Sequence, residues 1–82
     1  METLAGRARV QAEFSDVSEM IIWARNMAGF TQLALAKASD ISENTILRAE
    51  KGRLQPSAEK LFKILNTCGF CISLEPMETE GE

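Results

Sequence analysis

The first regular feature of the chain is an apolar residue at every third or fourth position from residue 17 onward. This is the period of a helix with one buried face, so it predicts a first helix between Asp16 and Gly29. Asp16 followed by Glu19 also has the form of a capping box, which marks a helix start. The predicted inward-facing residues are Val17, Met20, Ile21, Ala24, Met27 and Ala28.

Two further short helices are predicted on either side of Asp40. Thr31 can cap the second helix and Ser42 the third, because each side chain offers an oxygen to unpaired backbone N–H groups. Asp40 tolerates left-handed backbone better than most residues and marks the turn, and Gly52 closes the third helix. With about three residues between them, these two helices form a helix-turn-helix unit. The expected core positions are Leu35, Ala36, Ile46 and Ala49.

A fourth helix and one β-strand complete the pattern. Ser57 caps the helix and Gly69 ends it. Residues 70–75 then alternate between apolar and polar side chains until Pro76, which predicts a single strand with no comparable second strand in the chain. The expected buried face of the helix consists of Ala58, Leu61, Phe62, Ile64 and Leu65, and that of the strand consists of Phe70, Ile72 and Leu74.

Composition indicates one small globular domain and argues against an enzyme. Of the 82 residues, 45% are hydrophobic and 26% are charged, which is ordinary for such a domain. No apolar run approaches the ~20 residues that span a bilayer, and residues 1–16 lack the apolar core of a secretory signal, so a cytoplasmic location is expected. The chain has no histidine, which removes the commonest general base and metal ligand, and no cofactor is expected.

The net charge of −3 is unevenly distributed along the chain. Residues 1–16 carry −1, residues 17–64 carry +2 and residues 65–82 carry −4. The middle of the chain is therefore mildly basic, whereas residues 76–82 form an acidic tail that is expected to be disordered.

Cys68 and Cys71 have the spacing of a redox couple or of half a zinc site. They lie where the fourth helix ends and the strand begins, without the βαβ setting of a redox domain, and a reducing compartment favours free thiols. The pattern therefore favours a structural role. A thiol redox enzyme and a four-cysteine zinc site shared across a dimer are the alternatives.

The segment from Thr31 to Ser57, TQLALAKASDISENTILRAEKGRLQPS, resembles the helix-turn-helix of the phage-repressor family (Cro/CI, also called XRE). The resemblance covers roughly residues 17–67. It implies an all-α fold of four to five helices that binds operator DNA, with residues 43–50 in the major groove. The DNA-binding residues that it implies, together with their basic neighbours, are Gln32, Ser42, Glu43, Asn44, Thr45, Arg48, Lys51 and Arg53.

Physical chemistry supports part of that assignment and leaves part of it open. Asn44 and Arg48 can make paired hydrogen bonds to adenine and guanine edges, and Gln32 at a helix start suits a phosphate. Arg48 and Lys51 could equally be a solvated helix face. Glu43 departs from the uncharged or basic residues usual in the family; it either accepts from a cytosine amino group or points away from DNA.

The resemblance also assigns a structural pair and leaves an apolar surface unexplained. Arg25 and Glu50 fall where family members place a buried ion pair between the first and third helices, which either aims the recognition helix or is plain fold architecture. Ile22, Trp23 and Leu33 occupy positions that are usually polar in the family. They indicate either a covered surface or residues 1–16 folding back over them, through Leu4, Val10 and Phe14.

The last third of the chain resembles the HipB-type antitoxins, in which a repressor-like domain ends in one strand that pairs across a homodimer. This implies an N-terminal arm (1–15), a DNA-binding domain (16–69), a dimerisation strand (70–75) and an acidic tail (76–82). It also implies that the protein represses its own toxin–antitoxin operon and binds a HipA-like kinase toxin. The location implied is the cytoplasm of a prokaryote, with the protein on the nucleoid when it is bound to its operator. A prophage-type regulator without a toxin and a protein-interaction module are the alternatives. The expected dimerisation residues are Phe70, Cys71, Ile72, Ser73 and Leu74.

Overall fold

The computed structural model describes residues 13–72, and within them the chain forms four α-helices. These are α1 (Val17–Ala28), α2 (Gln32–Ser39), α3 (Glu43–Glu50) and α4 (Ala58–Thr67). The predicted all-α helix-turn-helix fold is confirmed, with α2 and α3 joined by residues 40–42. None of the four helices is long and apolar enough to cross a lipid bilayer.

Each helix begins at a side chain that captures a backbone N–H group. The capping oxygen accepts a hydrogen bond from the amide three residues later, over 2.9–3.2 Å, and so satisfies one of the free donors at a helix start. The four caps are Asp16, Thr31, Ser42 and Ser57. At Asp16, hydrogen bonds from the Glu19 N–H and the Ser18 hydroxyl hold the carboxyl pKa below its usual value.

Each helix also ends in the same way, with a left-handed residue that lets the chain fold back on the last turn. The residue after it donates its N–H to the carbonyl five positions earlier, the bond that defines a Schellman motif. Three of these left-handed residues are glycines, and the fourth is Asp40 with φ of 61°. The paired N–H and carbonyl groups are Phe30 with Arg25, Ile41 with Ala36, Arg53 with Arg48, and Phe70 with Leu65.

The core is built from one fully buried large aliphatic side chain per helix. Ile21, Leu35, Ile46 and Ile64 have no exposed surface, and burying a side chain of this size contributes roughly 1.5–3 kcal/mol. The residues that complete the core around them are Ala24, Ala36, Ile41, Ala49, Leu65 and Cys68. Through this core α3 packs on α1 and α2, while α4 packs on α2 and α1.

Four residues that were predicted to face inward from the helices are in fact exposed. Phe62 is 49% exposed and Met27 is 59% exposed, and Ala28 and Ala58 also lie at the surface. The buried stripes of α1 and α4 are therefore narrower than the sequence pattern suggested. Successive helical residues are turned by about 100°, so α4 can bury Ile64 and Leu65 while Phe62 points outward.

The predicted C-terminal strand is not supported by the structure. Residues 70–72 follow α4 without strand pairing, and residues 73–75 lie outside the described residues. Residues 1–12 of the N-terminal arm and the acidic tail (76–82) also lie outside the described range.

Candidate nucleic-acid interface

One face of α3 is held by the core and the other is open to solvent. Ile46 and Ala49 are buried, which fixes the helix against α1 and α2. Asn44 and Arg48 are exposed and lie four residues apart, so they share one face, about one turn from each other. The core therefore presents an amide and a guanidinium side by side on a helix that is anchored from behind.

The hydroxyl groups at the start of α3 are largely used within the helix. The Ser42 hydroxyl accepts from the Thr45 N–H at 3.1 Å and donates to Thr45 Oγ1 at 2.8 Å. Ser42 therefore acts as a helix cap here. Thr45 is half-buried and keeps its own hydroxyl hydrogen for another acceptor.

The turn after α3 carries two exposed cations. Lys51 and Arg53 flank Gly52. The φ of Gly52 is 74°, a left-handed conformation that glycine adopts without steric cost. The Arg53 N–H bonds to the Arg48 carbonyl at 2.9 Å, which ties this basic turn to the end of α3. The backbone that carries both side chains therefore has a defined position relative to Arg48.

Arg25 and Glu50 meet between α1 and the end of α3. Arg25 Nε lies 2.6 Å from Glu50 Oε2, and Arg25 Nη2 lies 3.1 Å from Glu50 Oε1, so the pair is bidentate. The two side chains are 16% and 5% exposed. Arg25 Nη1 also donates to the Phe30 carbonyl at 3.0 Å, so one guanidinium holds α3 and the end of α1 together.

The side chain of Gln32, which the sequence analysis assigned to a phosphate, donates to this ion pair. Its Nε2 lies 2.9 Å from Glu50 Oε1. Gln32 is the first residue of α2, so Glu50 accepts from side chains of α1 and α2 at once. A neutral amide still has one free N–H and its oxygen, which leaves Gln32 able to contact a phosphate as well.

The two cysteines occupy different environments. Cys68 is buried in the core, where burial raises the pKa of its thiol, with Arg25 opposing that rise and Glu50 adding to it. Cys71 is exposed, and both are free thiols. A buried thiol with a raised pKa is a poor nucleophile, in line with a structural role. Among residues 13–72, no three His, Cys, Asp or Glu side chains are grouped to hold a metal ion.

Trp23 lies between two other aromatic side chains. Its ring centroid is 5.4 Å from that of Phe14 and 4.9 Å from that of Phe70, with tilted planes that suit aromatic packing. This places one residue of the arm over the apolar surface, as one alternative expected. Ile22 is half-buried, whereas Leu33 remains 47% exposed.

An open groove of about 330 Å³ lies between the α2–α3 turn and α4, and no local pattern in the sequence predicts it. Lys60 and Lys63 line it opposite the start of α3. Asp40 and Glu59 line it as well and offset their charge. Only the packing of α4 beside the turn brings these four side chains together.

Two comparisons with known proteins bear on this chain. A family model for helix-turn-helix domains matches residues 21–71, which include all four helices except the first turn of α1. An uncharacterised HTH-type transcriptional regulator of Haemophilus influenzae is 31% identical over 61 residues. That alignment covers 74% of this chain and 62% of the Haemophilus protein, somewhat less than two thirds of its length. No solved structure matches the chain.

Proposed function

Because the chain belongs to the helix-turn-helix family of Cro/CI (XRE) type, we propose that it is a sequence-specific DNA-binding repressor of transcription. The observation that carries the proposal is the exposed pair Asn44 and Arg48 on an α3 whose opposite face is buried. These side chain types can each form two hydrogen bonds to one base edge in the major groove. The family is one of DNA-binding regulators and not of enzymes.

Phosphate contacts would set the position of α3 in the groove. Lys51 and Arg53 sit just beyond the end of α3, and Gln32 is the first residue of α2, where helix N–H groups favour an anion. Such contacts supply affinity for any sequence, whereas Asn44 and Arg48 supply the preference among sequences. Thr45, with a free hydroxyl hydrogen, is a further candidate contact.

We propose further that the protein acts as a homodimer through residues 70–75. An isolated strand exposes unpaired N–H and C=O groups, and the alternation of Phe70, Ile72 and Leu74 would give a paired ribbon one apolar face. A two-fold dimer places equivalent surfaces together and carries two recognition helices. Operators of this kind have half-sites about 34 Å apart, which one recognition helix cannot reach alone.

Within the family, we propose the role of an antitoxin that represses its own operon and binds a HipA-like kinase toxin. The support is the sequence pattern of the C-terminal third, where the helix "KLFKILN" (60–66) is followed by a turn and the strand "FCISLE" (70–75). If a kinase-like protein is encoded beside this chain, a pull-down of one by the other would test the toxin partner. Absence of such a neighbour would instead favour the prophage-type regulator.

Replacing Arg48 by Ala is expected to cost about 1–3 kcal/mol at the preferred operator and to relax preference at one base pair, because one paired contact is lost. Replacing Arg53 by Ala should weaken all duplexes alike and reduce the slope of log affinity against log salt by about one unit. Gel shifts on cognate and scrambled duplexes measure both effects.

Lys37→Ala is the matched control, since it removes one exposed positive charge from α2, outside the proposed interface. It should leave the preference for the operator unchanged. Equal weakening of cognate and scrambled DNA by both Arg48→Ala and Arg53→Ala would show that α3 is not the reading helix.

A further inference from the structure

Glu43 stands at the edge of the proposed reading surface with its charge uncompensated by any contact in the described residues. It is the first residue of α3 and is exposed. Within residues 13–72, the hydrogen bonds and ion pairs of this region involve Ser42, Thr45 and Glu50, and none reaches the Glu43 carboxylate. Within residues 13–72, a carboxylate without a protein partner therefore lies at the edge of the face that presents Asn44 and Arg48.

The helix geometry places Glu43 to one side of Asn44 and Arg48. At about 100° per residue, Glu43 and Arg48 lie about 140° apart around the helix axis, with Asn44 between them. The three side chains therefore approach different places along the groove. Residues at the N-terminal end of a recognition helix commonly contact base edges, and Glu43 is the first residue of α3.

A carboxylate can only accept hydrogen bonds, and this limits which base edge it can face. In the major groove guanine offers two acceptors, thymine an acceptor and a methyl group, and adenine an acceptor beside a donor. Cytosine alone offers a donor without an acceptor of its own. A carboxylate facing guanine would meet two acceptor atoms and no donor, which disfavours that base, whereas the cytosine amino group can donate to it.

We propose that Glu43 is a specificity-determining residue, which selects cytosine and rejects guanine at one base-pair position of the bound DNA. This inference rests on the proposed function, because it requires that α3 enter the major groove. A negative charge near phosphates lowers affinity for every duplex. A hydrogen bond from cytosine would offset that cost at the preferred site, whereas guanine would add a repulsion at other sites.

Glu59 allows the reading role to be separated from a helix-stabilising one. An acid in the first turn of a helix interacts favourably with the helix dipole, and Glu43 in α3 and Glu59 in α4 both occupy first turns. Both are exposed, and both lose one negative charge on replacement by Gln. Only Glu43 lies on the helix that is proposed to read bases.

The test is selection of bound sequences from a pool of random duplexes by the full chain, its Glu43→Gln variant and its Glu59→Gln variant. The full chain should enrich cytosine over guanine at one position by between about fivefold and a hundredfold. Glu43→Gln should shift that position toward adenine, because a Gln side chain pairs with the adenine edge. Glu59→Gln should keep the cytosine preference.

Three results would overturn the inference, and they are distinguishable. If Glu43→Gln selects the same bases as the full chain while Arg48→Ala alters its own position, Glu43 does not read DNA and the proposed function stands. If Glu59→Gln loses the cytosine preference as well, the effect is one of general charge. If the full chain enriches no sequence at all, the proposed function fails together with the inference.

Discussion

Replacing Glu50 by Gln is expected to destabilise the protein by about 3–5 kcal/mol, because it leaves the Arg25 charge without its partner in a largely buried site. Glu50 accepts from two nitrogen atoms of Arg25 and from Gln32, so one substitution weakens contacts to both α1 and α2. In a domain of this size each kcal/mol shifts the melting temperature by roughly 4–8 °C. Thermal unfolding followed by circular dichroism should therefore show a fall of more than about 10 °C.

The complementary variants identify the cause of that loss. Arg25→Met alone should destabilise to a similar degree, whereas the double variant Arg25→Met with Glu50→Gln should recover part of the stability, since no uncompensated charge remains. Glu59→Gln removes an equal charge from an exposed position and should lower the melting temperature far less, because a first-turn acid contributes only about 0.3–1 kcal/mol through the helix dipole. A melting temperature that neither single variant moved would mean that the pair contributes nothing to the fold.

Removing the segment after Cys71 is expected to yield monomers whose operator affinity is lower by on the order of a hundred- to ten-thousandfold. The proposed dimer binds its second half-site at a high effective concentration, and a monomer loses that advantage. Truncation after Cys71 retains the Phe70–Trp23 contact and the Phe70 N–H bond to Leu65, so the helical domain should stay folded. Light scattering gives the mass in solution and gel shift gives the affinity.

Two point substitutions sharpen the same test. Ile72→Pro removes a backbone donor and should break the strand pairing, whereas Ile72→Val keeps a β-branched side chain and should leave the dimer intact. Helical circular dichroism should be retained in both. A truncated chain that remained dimeric and bound its operator normally would contradict the proposed role of residues 70–75 in dimerisation.

The helix boundaries were predictable because one residue at each helix end largely determines them. Thr31, Ser42 and Ser57 cap through local side-chain bonds, and Gly29 and Asp40 adopt left-handed backbone that few other residues tolerate. These signals act within about five residues of the chain and do not depend on how the helices pack. For that reason they could be read without the tertiary structure.

The width of each buried face was not predictable, because it depends on how closely the helices approach. Phe62 and Met27 have apolar side chains at helical spacing, yet they are 49% and 59% exposed in the described structure. Periodicity gives the centre of an apolar stripe better than its edges. The exposed Met27 and Phe62 are the two largest side chains that this pattern placed wrongly.

Contacts between distant parts of the chain were predicted only where the family resemblance supplied them. The Arg25–Glu50 pair came from that resemblance, and its third member, Gln32, was assigned to DNA instead. The packing of Trp23 between Phe14 and Phe70 joins three residues that no local pattern connects. Of the DNA-facing residues, the sequence marked the exposed positions of α3, while the use of the Ser42 hydroxyl within the helix became visible only in the structure.

The most direct test of the central claim is the salt dependence of binding to duplex DNA, measured on the best duplex from the selection and on a scrambled duplex of equal length. A repressor should bind the selected duplex at least about a thousandfold more tightly, and log affinity should fall linearly with log salt as counterions are released. This is expected despite the net charge of −3, because the basic residues are concentrated in residues 17–64. Equal affinity for the two duplexes, or affinity that does not respond to salt, would contradict a sequence-specific DNA-binding function.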